Sequence, residues 1–177
     1  MPKREVSLTK KDVATLMQLD RSRQLKRQPQ SKPKGVWPRA AKAYFIDSIL
    51  TGRPIPPIYL LRIPSQTGRT EFTVIDGRRR IIAVKEFLDD GFGLTELGQG
   101  SVAKDYKGKK FSRLPLKLKQ RLLNFSFSVL VMSGYSKSEI QDLCELMPTH
   151  TVPLSKRDMC RAFAEAKAGA LGQTKGP

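Results

Sequence analysis

Three consecutive arginines follow an aspartate and a glycine in the segment Asp76-Gly77-Arg78-Arg79-Arg80. An alternating apolar run precedes the segment and an apolar periodic run follows it, so the pattern predicts a strand, a turn at Gly77 and a helix. The N-terminus of a helix carries a partial positive charge, and a cation there is unfavourable by about 0.3–1 kcal/mol. The arginines therefore indicate an anion from outside the chain, because the free N–H groups of a first helical turn also bind phosphate.

Each residue of this segment has a predicted role in such a site. Gly77 permits the close approach of a ligand, and the arginine guanidinium groups can bind phosphate oxygens in a bidentate manner. Helical geometry prevents all three arginines from facing one ligand. Asp76 has three interpretations: it caps the helix, it orients a water or a hydrated Mg²⁺ beside the phosphate, or it forms an ion pair with an arginine. The alternative for the three arginines is a solvated basic face.

The composition favours a polyanionic partner. The 177 residues include 33 Lys and Arg against 16 Asp and Glu, a formal net charge of +17 that suits nucleic acid.

No run approaches the about 18 apolar residues that cross a bilayer, and residues 1–5 lack the apolar core of a secretory signal. We therefore expect a cytoplasmic protein without a membrane partner. His150, Cys144 and Cys160 lack zinc-site spacing, so no metal site is predicted from protein ligands and the thiols are expected to be buried and reduced.

The chain is predicted to contain one domain with basic and loose ends. Residues 1–35 are expected to form a basic N-terminal arm, partly helical or flexible, residues 36–168 the domain, and residues 169–177 a loose tail. The helix of the arm would carry Val13, Leu16 and Met17, with Ser7 or Thr9 as its N-cap. In the domain, the pattern predicts a helix ending at Gly52, strands 58–63 and 71–75, the helix after the arginines, a helix opened by Pro115, a strand over 125–131, and helices over 136–147 and 155–168.

Two further clusters of cations are candidate nucleic-acid contacts. Between residues 104 and 121 eight Lys or Arg stand against Asp105 alone. These cations could contact phosphates without reading sequence, or they could be a solvated helix face. Tyr106 and Phe111, which lie among them, could stack on bases or fill the core. The predicted nucleic-acid-binding residues are Lys26, Arg27, Lys32 and Lys34 of the arm and Lys107, Lys109, Lys110 and Arg113 of this run.

Several segments together resemble a known family. Residues 45–60, the segment Asp76-Gly77-Arg78-Arg79-Arg80, residues 107–115 and residues 139–162 resemble the N-terminal domain of GmrSD-type restriction enzymes, a member of the ParB/sulfiredoxin-like superfamily. Asp76, Gly77 and Arg80 match the Asp-Gly-Gln-Gln-Arg motif of that domain, while arginines replace its two glutamines. Residues 108–115 match its Gly-x-x-Phe-x-x-Leu-Pro segment. The chain would be a stand-alone relative or a fragment, and its single His excludes an HNH nuclease.

The resemblance implies a fold and a function. The expected fold is α+β, a small mixed sheet of the ParB/sulfiredoxin-like type flanked by helices, with a helical C-terminal part. The expected function is a phosphate-handling module in a DNA-associated, restriction or phage-defence context, which binds a nucleotide. Gly77 and Arg80 would carry the phosphate role of the family, and Arg78 and Arg79, which depart from its motif, are the further predicted ligands. Asp76 and Arg80 would be the catalytic residues if an NTP with Mg²⁺ is hydrolysed.

Two other functions are left open by the residues. One is a non-enzymatic nucleic-acid-binding protein, with DNA favoured over RNA. The other is a regulatory partner of a separate nuclease, for which the predicted helix around Met159 and Phe163 would be the docking face or would instead close the core. A homodimer is a further possibility.

Overall fold

A five-stranded mixed sheet organises the part of the chain that the structure describes. The structure is a computed structural model, and it describes residues 3–27, 37–63, 69–95, 101–136, 138–140 and 142. Helices flank the sheet, so the expectation of an α+β fold is confirmed. The elements are β1 (Glu5–Asp12), α1 (Val13–Arg21), β2 (Leu25–Arg27), α2 (Arg39–Thr51), β3 (Ile58–Ile63), β4 (Glu71–Asp76), α3 (Arg78–Leu88), 3₁₀ turns at Val102–Lys104 and Phe111–Arg113, α4 (Leu116–Leu123) and β5 (Ser126–Ser133).

The sheet pairs the two N-terminal strands with strands that are remote in sequence. The order across the sheet is β1-β5-β3-β4-β2. Strands β3 and β4 form an antiparallel pair, and β5 lies parallel to β3 on its other side. Strand β1 pairs antiparallel with β5, and β2 pairs parallel with β4. Both edge strands therefore come from the first 27 residues.

The prediction that the N-terminal residues form an arm outside the domain is wrong for residues 5–27. These residues form two strands of the sheet, and Val13, Leu16 and Met17 of α1 are buried in the core. The helix itself is confirmed, but its N-cap is Asp12, whose carboxylate accepts the N–H of Thr15 at 2.7 Å. Hydrogen bonds from the Thr15 side chain and backbone lower the pKa of Asp12. Ser7 and Thr9, the predicted caps, lie in β1 instead.

The main core lies between one face of the sheet and the helices. Its fully buried side chains include Ile46, Ile58, Leu60, Ile81 and Phe87. Helix α2 ends, as predicted, at Gly52, which has a left-handed backbone with φ of 74°. A smaller apolar cluster on Leu61, Ile75, Met132 and Ile140 is separate from this core. The sheet is therefore packed mainly on the helical side.

The remaining predicted elements fall into two groups. The predicted strands over residues 58–63 and 71–75, the helix after the arginines and the helix after Pro115 are confirmed. Strand β4 continues to Asp76, and β5 extends to Ser133. Most of the predicted helix 136–147, the helix 155–168 with Met159 and Phe163, and the tail 169–177 lie outside the described residues, as do Cys144, His150 and Cys160. Among the helices that are described, none is both long enough and apolar enough to cross a membrane.

Candidate functional site

The turn between β4 and α3 is shaped by close packing against β3. Gly77 is the residue before α3 and has a left-handed backbone with φ of 97°. A Cβ at this position would lie 2.9 Å from Cγ1 and 3.2 Å from Cγ2 of Ile58, whose side chain is fully buried. An L-residue at such a φ is also strained. The packing against Ile58 and the backbone conformation therefore explain the glycine at position 77 without any ligand.

Arg80 is held by three acceptors within the protein. Its guanidinium donates to the carbonyl oxygen of Pro56, to that of Pro57 at 3.1 Å and to Oδ2 of Asp76 at 2.7 Å. Only 8% of the residue is exposed. Burial lowers the pKa of Arg80, and the negative charge of Asp76 opposes this shift. Arg80 thus ties the proline segment before β3 to the start of α3, and its predicted phosphate role stays a prediction.

Asp76 is the exposed member of this ion pair. Its side chain is 50% exposed, whereas that of Arg80 is 10% exposed. No side-chain hydrogen bond caps α3, so the N-cap interpretation of Asp76 is wrong and the ion-pair interpretation is confirmed. The interpretation as a ligand for water or Mg²⁺ stays a prediction. Within the described residues no group of three or more His, Cys, Asp or Glu could hold a metal ion.

The other predicted ligands have different surroundings. Arg78 and Arg79 are half-buried in the first turn of α3. Lys26 is exposed in β2, where its ammonium group pairs with Oε2 of Glu71 at 2.5 Å. Arg27 is the last residue of β2, and its side chain lies outside the described part of the structure. Lys32 and Lys34 lie outside the described residues.

The cations between residues 104 and 121 form what we call the basic surface. It consists of Lys104, Lys107, Lys109, Lys110, Arg113, Lys117, Lys119 and Arg121. All of these side chains are exposed except that of Lys119, which is half-buried. Asp105 is the one acidic residue in this stretch of sequence. The basic surface therefore presents a high density of positive charge to solvent.

The backbone of the basic surface is anchored to the core through Leu94. The Gly108 N–H donates to the Leu94 carbonyl at 2.7 Å, and the Leu94 N–H donates to the Lys109 carbonyl at 3.0 Å. The Leu94 side chain is 1% exposed. A Cβ on Gly93 would lie 2.3 Å from the Gly108 oxygen, so the absence of a side chain at Gly93 permits this close contact. The lysines at 107, 109 and 110 consequently lie on a fixed backbone.

A second anchor joins the basic surface to the end of α3. The Asp90 carboxylate accepts the N–H of Ser112 at 2.8 Å, and Nζ of Lys119 donates to the Ser112 carbonyl at 2.8 Å. Hydrogen bonds from the Ser112 side chain and backbone lower the pKa of Asp90, helped by the charges of Lys110 and Lys119. Asp90 is not among the site residues predicted from the sequence. The pair is separated by 22 positions, and no periodic pattern in the sequence links the two residues.

The aromatic residues of this region face inward. Tyr106 and Phe111 are half-buried and pack against the core. The Phe111 ring contacts the Phe87 ring edge to face, with centroids 6.1 Å apart. Nζ of Lys119 lies 5.8 Å from the centroid of Phe111, and Nζ of Lys109 lies 5.5 Å from that of Tyr106. The core-filling interpretation of these two aromatic residues is confirmed.

Helix α3 separates the arginine turn from the second anchor. The turn at residues 76–80 lies at the N-terminal end of α3, and Asp90, which holds Ser112, follows its C-terminal end. The helix has 11 residues, so it spans about 16 Å. The three arginines and the 3₁₀ turn at Phe111–Arg113 therefore belong to two places on the molecule.

Comparisons with known proteins give no support for or against the resemblance. A scan of family models finds no match to this chain, and searches of curated proteins and of solved structures likewise find none. The similarity to the N-terminal domain of GmrSD-type restriction enzymes and the ParB/sulfiredoxin-like assignment rest on the sequence segments alone and stay proposals.

Proposed function

We propose that the protein binds the phosphate backbone of a nucleic acid, with DNA favoured, through the basic surface. The observation that carries the proposal is the arrangement of exposed Lys and Arg side chains on a backbone anchored at Leu94 and Asp90. Neutralising phosphates with such side chains releases counterions and provides affinity without sequence readout. The formal net charge of +17 adds long-range attraction for a polyanion.

The aromatic contacts support a backbone-binding mode. Proteins that hold single strands stack successive bases on exposed aromatic rings. Tyr106 and Phe111 instead pack against the core, and lysine ammonium groups lie over their rings. Affinity in the basic surface would therefore come from phosphate contacts, and it should depend steeply on salt.

The experiment compares two variants that lose the same charge. The triple variant Lys107→Gln, Lys109→Gln, Lys110→Gln removes three cations from the basic surface. The control, Lys3→Gln, Arg21→Gln, Arg62→Gln, removes three exposed cations outside it. For a DNA duplex of fixed length, the slope of log affinity against log salt should be shallower by about 2–3 in the first variant, since each phosphate contact contributes about 0.9. Equal changes in both variants, or DNA affinity independent of salt in the intact protein, would contradict the proposal.

A second candidate function is nucleotide binding at the start of α3, with possible hydrolysis of an NTP with Mg²⁺. The half-exposed carboxylate of Asp76 beside Arg78 and Arg79 favours it, since these groups could hold a metal–phosphate complex. The engagement of Arg80 by internal acceptors weakens it. Calorimetry with an NTP panel and Mg²⁺ tests this candidate. Heat that disappears in the Arg78→Gln, Arg79→Gln variant is the expected result, and no heat with the intact protein would remove the candidate.

A further inference from the structure

Strand β1 has the properties of an edge that pairs with another strand. Within the described part of the chain it pairs with β5 alone, on one side. Its residues 5–8 are all exposed, and two large apolar side chains on one face are conspicuous: Val6 is 52% exposed and Leu8 is 70% exposed. The outer edge of such a strand presents backbone donors and acceptors that can extend a sheet. An eight-residue strand is long for an edge that has no partner among the described residues.

The residues of β1 are complementary to a second copy of β1. In an antiparallel pair with its two-fold axis at Leu8, the opposed residues are Leu8 and Leu8, Ser7 and Thr9, Val6 and Lys10, and Glu5 and Lys11. Directly opposed side chains in antiparallel strands have Cβ atoms about 4.5–5.5 Å apart, and opposite charges at such positions attract. The two-fold symmetry repeats the Glu5–Lys11 pair on both sides of the central leucines. In the single chain Lys11 is half-buried and its Nζ lies 5.6 Å from the centroid of the Phe72 ring, so the Lys11 side chain turns toward Glu5 of the second copy when the pair forms. Charged residues on an edge strand usually prevent it from pairing with another strand. In β1 the charges of Glu5 and Lys11 are placed so that they attract those of a second copy.

Neighbouring registers lack this complementarity. Opposed residues in a symmetric antiparallel pair lie on the same face, so one strand can shift against the other only by two residues at a time. Each such shift moves the two-fold axis by one residue. One step places Ser7 at the axis, brings Arg4 opposite Lys10 and separates Glu5 from Lys11. The opposite step places Thr9 at the axis and leaves Lys10 and Lys11 opposite Leu8 and Ser7. The charge order thus selects the register centred on Leu8.

We propose that two copies of this chain associate by antiparallel pairing of their β1 strands about Leu8, which makes the sheet continuous across the dimer. The interface is isologous, as in most homodimers. A single strand pair covers less area than the about 1,200 Å² at the lower end of stable interfaces, so the dimer is expected to be weak and reversible. The inference does not depend on the proposed nucleic-acid function.

Charge reversal tests the partner and the register together. Sedimentation equilibrium of the full chain should give a concentration-dependent dimer. Glu5→Lys and Lys11→Glu should each raise the dimer Kd by about tenfold or more, because each change creates two like-charge pairs. The double variant Glu5→Lys, Lys11→Glu should restore the Kd. Circular dichroism checks that each variant is folded. A protein that stays monomeric at the highest concentration, or reversals that leave the Kd unchanged, would overturn the proposal.

Cysteine crosslinking measures the register without relying on charge. In a Cys144→Ser, Cys160→Ser background, Leu8→Cys should form an intermolecular disulfide under mild oxidation, because opposed Cα atoms lie about 4.5–5.5 Å apart and disulfides require about 4.4–6.8 Å. Val6→Cys is the matched control, since Val6 faces Lys10 and lies four positions from its own counterpart. Rapid crosslinking at position 8 alone supports the register. Equal crosslinking at both positions, or none at position 8, contradicts it.

Discussion

The guanidinium of Arg80 connects three parts of the chain around the turn after β4. It donates to carbonyl oxygens of Pro56 and Pro57 and to the carboxylate of Asp76, and its side chain is 10% exposed. Tyr59, two residues after Pro57, pairs with Asp76 across β3 and β4, which brings the proline segment beside the turn. A planar group with several donors in a fixed fork fits these acceptors, and an ammonium group does not.

Replacement of Arg80 by lysine separates its structural contribution from its charge. We expect Arg80→Lys to lower the free energy of unfolding by about 1–3 kcal/mol, because acceptors at Pro56, Pro57 and Asp76 lose hydrogen bonds to a charged donor while the positive charge is kept. Urea denaturation measures the loss, and Lys85→Arg, which alters an exposed cation paired with Asp89 on the same helix, is the control. If Arg80→Lys were as stable as the intact protein and lost only nucleotide binding, Arg80 would be a ligand and not a structural tie.

At the scale of elements, we predict that the anchor between Asp90 and Ser112 responds to pH. The pKa of Asp90 lies below its usual value of 3.8 because Ser112 donates hydrogen bonds to the carboxylate. A depressed folded-state pKa means that the anchor is fully present above the usual pKa and is lost as pH falls through the folded-state value. Near neutral pH the anchor is therefore intact.

Hydrogen exchange at acid pH measures this loss. We expect the Ser112 amide to lose protection as pH falls below 3.8, after correction for the intrinsic exchange rate. Asp90→Asn should give low protection at every pH, because it removes the charged acceptor. The neighbouring Asp89→Asn, which removes an exposed pair with Lys85, should leave the Ser112 profile unchanged. Protection of Ser112 that does not respond to pH or to Asp90→Asn would show that other contacts hold this turn.

Local patterns predicted the elements better than their partners. Helices α2 and α3 and the strand pair β3–β4 carry their periodicity within short stretches, and glycines mark two of their boundaries: Gly52 ends α2, and Gly77 separates β4 from α3. Strands β1 and β2 were missed, because lysines interrupt their apolar residues and each is stabilised by pairing with a strand remote in sequence. The same reason explains the site: the cluster of lysines is visible in composition, whereas the Asp90–Ser112 anchor exists only after folding.

At the scale of the whole molecule, the two proposals together predict bivalent binding of DNA. A β1-linked dimer carries two copies of the basic surface, and linking two sites raises the apparent affinity for a partner long enough to reach both. Intact protein should therefore bind a long duplex more tightly, per site, than a short duplex that fits one surface. A roughly tenfold difference is expected for a weak dimer.

The Glu5→Lys variant separates bivalence from simple attraction, because it adds positive charge while placing like charges across the dimer interface. Charge alone predicts tighter binding of both duplexes by this variant. Loss of the dimer predicts that the preference for the long duplex disappears, and that the double variant Glu5→Lys, Lys11→Glu, which has the charge of the intact protein, regains it. Fluorescence anisotropy with both duplexes at fixed salt measures the two affinities. A length preference that survives in Glu5→Lys would mean that each monomer binds the longer duplex by itself.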